Sequence, residues 1–383
     1  MNLQQTNSDL ELLRELVDTD SQSRFQQGVR HVQYLLKDFL DQLGFHVELV
    51  SQSEGAPLFI GNIGDRGPVL TLISHADTVI PASKSHFRID GTRAYGAGIA
   101  DNKAGVVVAL KAVKIYLENC GTNRLRLQFV NSPTEEIGSP GLHESFKLLG
   151  LNSQYAFGFE PSLEDGGLIK SRNGNKWIKI TVQGKSFHAG RAHKGHINAA
   201  QDLCQVLVAM NAKLIDNPLV TFNIGELTAG HSYNTIAETA VAKIDTRFQC
   251  LEGLKLIQEM LEEDLQSHFH PCSNTAAKSR YQIDIEDFCP PMKTKDNNEM
   301  INNYIKHIEK LENGAPKLYH CGGAADVNHF YHEDLIALDG CGAVGGNLHR
   351  VDEYIEINSL NSRAQAFANF LLDLNKRERY GYH

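Results

Sequence analysis

Apolar residues change their spacing along this chain, and each spacing predicts an element. From Gln26 to Leu43, the residues Val29, Val32, Leu36, Phe39, Leu40 and Leu43 fall on one helical face, and Gly44 is placed to stop the helix. Ser8 and Glu11 have capping-box spacing ahead of Leu12, Leu13 and Leu16, which predicts a helix start there. Phe45, Val47 and Leu49 alternate as a strand does. "GPVLTLISH" and "LRLQFV" are short continuous apolar runs, predicted as buried strands, and "KAGVVVALKAVKIYL" between them is predicted as a helix. Strands spaced by helices in this way predict a layered α/β domain with a mixed sheet flanked by helices.

The texture changes near residue 172. "KWIKITVQG" and "AVAKIDTRFQC" alternate like half-exposed antiparallel strands. One amphipathic helix is predicted from about Ile197 to Leu214, and another carries Leu254, Ile257, Met260, Leu261, Leu265 and Phe269. Strand, helix, strands, helix is the order of a small α+β, ferredoxin-like sandwich. "DFCPPMKTKDNN" reads as the way back, because tandem prolines break both helix and sheet. The predicted organisation is a split α/β domain, 1–173 and 290–383, carrying an inserted α+β domain at 174–289.

Composition narrows the function. A chain of 383 residues that is 42% hydrophobic and 22% charged has ample material for packed cores. Acidic residues outnumber basic ones by 46 to 37 with no Lys/Arg block, so no nucleic-acid partner is expected. No apolar run reaches membrane-spanning length, and "MNLQQTNSDLELLRELV" lacks the basic and apolar regions of a signal peptide. Seven cysteines without a CxxC pair argue for reduced thiols, and with them a cytoplasmic protein.

Five polar signals fall at predicted strand ends or loops. They are His75 and Asp77 in "SHADTV", Asp101 in "YGAGIADNKAG", Glu135 and Glu136 in "SPTEEIGSPG", Glu160 in "FEPS", and His349 in "GGNLHRVDEY". Each has a bland reading: a surface histidine, a solvated acidic pair, a turn glutamate, a glycine-rich phosphate cradle lacking the GxxxxGK[ST] pattern. Together they lie where function gathers in open α/β sheets, at the carboxyl ends of the strands. Two adjacent carboxylates repel unless a cation relieves them. Two histidines and three or more carboxylates suit a pair of divalent ions, with bonds of about 2.0–2.2 Å for zinc. A carboxylate can bridge ions roughly 3.5–4 Å apart. One glutamate of the "EE" pair can then bind metal while its neighbour takes a proton from water.

These motifs, with "SFHAG", resemble the M20 metallopeptidases in content and order from about Leu13 to the last helix. "AYGAGIADNKAG" is most similar to the carboxypeptidase G2 (glutamate carboxypeptidase) branch. The resemblance implies two zinc ions per subunit, with cobalt or manganese as alternatives: His75 and Glu160 on one, Glu136 and His349 on the other, and Asp101 between them. It implies Glu135 as general base, Asp77 as orienter of His75, and a cis peptide at Asp101–Asn102. His188 would stabilise the oxyanion, and Asn234 and Arg247 would grip a substrate carboxylate. Read without the likeness, these three are a turn histidine, a capping group and an ion-pair partner. The inserted domain would be a lid and homodimerisation module.

Where the family has other residues, this chain has Ala97, Ala104, "NTIAETA" and "GGAADVNHF". The expected substrate is a peptide or N-acyl amino acid, cut at an amide bond beside a free carboxylate. Deacylation of the acetylornithine or succinyl-diaminopimelate type is the alternative. A non-catalytic binder of metal or peptide, and a glycosidase with paired acids, are weaker readings, the last leaving the histidines without a role.

Overall fold

The computed structural model describes residues 3–53, 55–191, 197–264, 280–312 and 314–380. Contacts divide the chain into two units. One comprises Met1–Ser171, Met292–Cys321 and Ala325–His383; the other comprises Arg172–Pro291 and Gly322–Ala324.

The first unit is built on a six-stranded sheet. In spatial order its strands are His46–Val50, Leu58–Ile63, Arg126–Ser132, Val69–His75, Tyr155–Gly158 and Ile336–Leu338. The first three pair antiparallel, and the rest join in parallel. Val69–His75 lies inside the sheet and is buried at every position, as a parallel strand covered on both faces must be. His75 pairs with Ser132 and Ile73 with Gly158, so three strands end side by side and release their loops together.

The crossover from Val69–His75 to Arg126–Ser132 carries the helix Gly105–Asn119, predicted from its apolar run. Its Val106, Val107, Leu110 and Val113 join a core shared with Phe157, Phe159, Phe367 and Phe370. Gly105 opens this helix because a Cβ there would stand 1.9 Å from the Phe159 carbonyl oxygen. That close approach brings the Asp101 segment against the segment carrying Glu160.

The helix predicted after Gln26 runs Gln26–Gln42, and Gly44 at φ +84° ends it. The capping-box expectation at Ser8 fails: the first helix is Leu3–Asp18, so Ser8 and Glu11 lie inside it. Leu13, Leu16 and Val17 are fully buried, and a helix anchored by such packing propagates back through residues of ordinary propensity.

The second unit is a four-stranded antiparallel sheet in the order Val220–Ala229, Thr239–Phe248, Gly174–Gln183, Arg280–Cys289. The helix Ala199–Leu214 follows Gly174–Gln183, and Leu251–Glu259 follows Thr239–Phe248, giving the split βαβ order. Ile178, Ile180 and Val182 alternate inward with Ala240, Ala242 and Ile244, and pack with Leu203, Val206 and Ile257. Asn198 caps the first helix by accepting from the N–H groups of Ala200 and Gln201. The second predicted helix passes into a wider turn at Met260–Asp264, and its expected Leu265 and Phe269 lie outside the described residues.

Candidate metal centre

His75 closes the central strand and is almost completely buried. Its Nε2 is 2.9 Å from Asp101 Oδ1 and 3.7 Å from Glu160 Oε2. Its Nδ1 is 3.0 Å from the Asp77 carbonyl oxygen and 3.3 Å from Asp77 Oδ1. Asp77 therefore orients the ring from behind, and it does more than the motif suggested. Its Oδ1 accepts the Glu135 N–H at 3.0 Å and its Oδ2 the Glu136 N–H at 3.2 Å. A third bond comes from Ser23 Oγ at 2.7 Å. One carboxylate thus holds the histidine and the paired glutamates in register.

Asp101 precedes a cis peptide to Asn102, the bond at which the family likeness implies one. Its two oxygens diverge: Oδ1 faces His75, and Oδ2 lies 3.3 Å from His349 Nε2. His349 Nε2 is also 3.1 Å from Glu136 Oε2. His349 sits in the glycine-rich loop at φ +62°, a left-handed conformation that non-glycine residues seldom adopt. Glu160 follows the strand Tyr155–Gly158, and Asn102 Nδ2 donates to the neighbouring Phe159 carbonyl at 3.0 Å.

Seven predicted residues therefore meet in one unit: His75, Asp77, Asp101, Glu135, Glu136, Glu160 and His349. The other three belong to the second unit. There His188 is exposed and its backbone bridges Thr235, while Ala189 N–H donates to the Asn234 carbonyl at 2.8 Å. Asn234 Oδ1 accepts from Ser232 Oγ at 2.6 Å, and Arg247 Nε is 2.9 Å from Asp245.

The cluster is short of positive charge. Burial would lower His75, but the carboxylates of Glu160, Asp101 and Asp77 outweigh it and raise the imidazole well above its usual value. His349, bonded to Asp101 and Glu136, is pushed up to about 10. Burial also raises Glu135 and Glu136, and pushes Glu160 up to about 7. Ligand-type atoms of His75, Asp101 and Glu136 lie within 4.8 Å of one another, and Glu136 Oε1 is buried with no hydrogen-bond partner. Buried acceptors need a partner, and mixed imidazole and carboxylate donors suit zinc, cobalt or manganese. The residues present fit a metal. A separate groove of about 850 Å³, lined by Asp9, Lys111, Glu312 and Gln365 among others, shares no residue with this cluster.

Sequence reasoning missed the supports. Ser23 carries no motif. Asp326, in the loosely matching "GGAADVNHF", accepts from Ser139 Oγ at 2.6 Å, and Ser139 Oγ also lies 2.9 Å from Ser132 Oγ. Ser139 holds φ +48° within the turn after the paired glutamates, so these bonds pin a backbone that would otherwise relax. Lys103 is buried, donates to the Thr19 carbonyl at 2.9 Å, and is brought down to about 7 by that burial.

An α/β unit whose strand ends interlock histidines with carboxylates has the build of a metal-dependent hydrolase. The chain belongs to peptidase family M20/M25/M40, whose model matches residues 71–373. It is 26% identical over 382 residues to carboxypeptidase G2 of Pseudomonas sp. (strain RS-16), covering 95% of this chain and 89% of that one. It is 24% identical over 387 residues to the succinyl-diaminopimelate desuccinylase of Hydrogenovibrio crunogenus, covering 95% and 98%. Its fold matches the crystal structure of an M20 family metallo-carboxypeptidase, Sso-CP2 from Sulfolobus solfataricus. That match has a TM-score of 0.74 at 18% identity over 95% of this chain and 98% of that one. The chain is accordingly a hydrolase of amide bonds in a metal-dependent family. Among the described residues, no helix is long and apolar enough to cross a membrane.

Proposed function

We propose that this chain is a cytoplasmic dizinc hydrolase that cuts an amide bond next to a free carboxylate in a small peptide or N-acyl amino acid. The observation that carries the reading is the split of Asp101, one oxygen facing His75 and the other facing His349. Such a carboxylate would serve two ions, with His75 and Glu160 holding one and Glu136 and His349 the other. Zinc at these positions would polarise the scissile carbonyl and ease deprotonation of the attacking water; cobalt or manganese would suit the same donors.

Glu135 is the general base in this reading. Its backbone is held beside Glu136 by Asp77, and burial raises its carboxyl well above the usual range. A carboxyl base raised above its usual range accepts a proton from water and returns it to the leaving amine. Asp77 fixes the His75 ring and strengthens it as a donor. His188 is assigned to the oxyanion, and Asn234 and Arg247 to the substrate carboxylate, on the motif likeness alone. The unit Arg172–Pro291 is assigned the part of a lid and homodimerisation module on the same ground.

The relatives divide over substrate, one named for a carboxypeptidase and the other for a desuccinylase. Purified protein stripped by chelator, reloaded with zinc and offered C-terminal glutamate peptides, acetyl amino acids and succinyl amino acids tests the whole reading. About two zinc equivalents with restored release of glutamate supports the carboxypeptidase form. Release of acetate or succinate moves the assignment to deacylation. Full turnover with no metal bound sinks it.

A further inference from the structure

Glu353 is a buried carboxylate that no step above uses. It is 1% exposed and stands four residues after His349, just before the strand Tyr354–Glu356. Its Oε1 accepts the N–H of Ala100 at 2.8 Å and the N–H of Asp101 at 3.0 Å. Its carbonyl accepts from Gly96 N–H at 3.3 Å, and its own N–H donates to the Arg350 carbonyl at 3.2 Å. One residue thus joins the loop that presents His349 to the backbone of Asp101 itself. A carboxyl group held in such a place needs those bonds, since burying it unpaired is expensive.

Glu356, three residues on, joins the same two segments without touching a ligand. It accepts from Arg93 Nε at 2.6 Å and Thr92 Oγ1 at 3.2 Å. Glu353 precedes the strand that Glu356 ends, and the two differ in what they hold.

We propose that Glu353 is a positioning residue for the metal centre: by accepting from the Ala100 and Asp101 amides, it sets the spacing between the Asp101 carboxylate and the His349 ring. The inference rests on reading Asp101 and His349 as metal ligands. Groups that orient ligands in this manner typically cost about 10–100-fold in metal affinity when removed.

The test is zinc affinity, read by competition with a chromophoric chelator on the metal-stripped full chain, for wild type, E353A, E353Q, E353D and E356Q. E353A is expected to bind zinc about 10–100-fold more weakly. E353Q keeps an oxygen within reach of both amides and should recover most of the loss. E353D keeps the charge but draws back from the amides, so it should stay weak, and it carries the test if E353A does not fold. E356Q should match wild type. Wild-type affinity in E353A or E353D overturns the inference, as does E353Q falling as far as E353A, which would make charge rather than reach the cause. A loss in E356Q equal to that in E353A also overturns it, because the strand pair as a whole would then be responsible. If the wild type takes up no zinc, the metal reading itself fails and takes this inference with it. Wild-type uptake with unchanged E353A sinks this inference alone.

Discussion

In the first unit the candidate residues hold one another. Asp77 bonds to His75, to the amides of Glu135 and Glu136, and to Ser23, so moving any of them disturbs the rest. In the second unit, among the described residues, His188 has a backbone bridge to Thr235, Asn234 bonds to Ser232, and Arg247 pairs with Asp245. The first arrangement is a mutually bonded cluster around the buried His75, Asp77 and Asp101, with His349 exposed at its edge. The second consists of exposed or half-buried groups whose role depends on what they bind. Metal retention should therefore respond to the first group, and substrate affinity to the second.

The largest effect expected is on turnover. Glu135→Gln should lower kcat by about 10²–10⁴-fold while zinc content by elemental analysis stays at the wild-type level. Full activity in that variant would remove Glu135 as the base. Next comes Asp77→Ala, which releases the His75 ring and both glutamate amides. Its zinc affinity should fall by about 10–100-fold, measured by chelator competition. If metal binding is unchanged, the interlock is packing and the contrast between the units weakens.

Arg247→Ala should do the reverse, leaving zinc content alone. Losing a hydrogen bond to a charged group, about 1.5–3 kcal/mol, should cost roughly tenfold or more in kcat/KM, chiefly through KM. Loss of metal from this variant would break the comparison outright.

The last effect sharpens it from the side of stability. His329 is buried, stacked on His143 at 4.0 Å, and brought down to about 3 by burial and by its neighbour. Its folded value lies below the ordinary 6.5, so the unfolded chain takes up the proton first. The neutral ring's contribution is whole above about pH 6.5 and is lost as pH falls from there toward about 3. The slope for one proton is at most about 1.4 kcal/mol per pH unit. Urea titrations should show a shallower acid decline for His329→Phe than for wild type. Identical slopes would mean that other groups carry the acid response.

Much of the first unit was legible in the residues. Continuous apolar runs marked Val69–His75 and Arg126–Ser132 because strands covered on both faces need apolar residues throughout. The polar groups at their ends stood out against that background, and so did the glycine-rich loop of His349. The capping box at Ser8 misled because its pattern is purely local, whereas burial of Leu13, Leu16 and Val17 governs the extent of that helix.

The supporting contacts were not legible, for a physical reason. Asp77 lies 58 residues from Glu135 along the chain, and Glu353 lies 252 from Asp101. Periodicity carries information over one element, while a hydrogen bond between loops depends on which strands pair and where they stop. Local spacing alone marked Val69–His75, Arg126–Ser132, the helices Gln26–Gln42 and Gly105–Asn119, and the polar residue types at the strand ends. Packing turned one Asp101 oxygen to each histidine, set Asp77 on both glutamate amides, and put Glu353 on the Asp101 amide. Those choices follow from parallel strands ending in step and from Gly105 pressing onto the Phe159 carbonyl, and both exist only once the chain has packed.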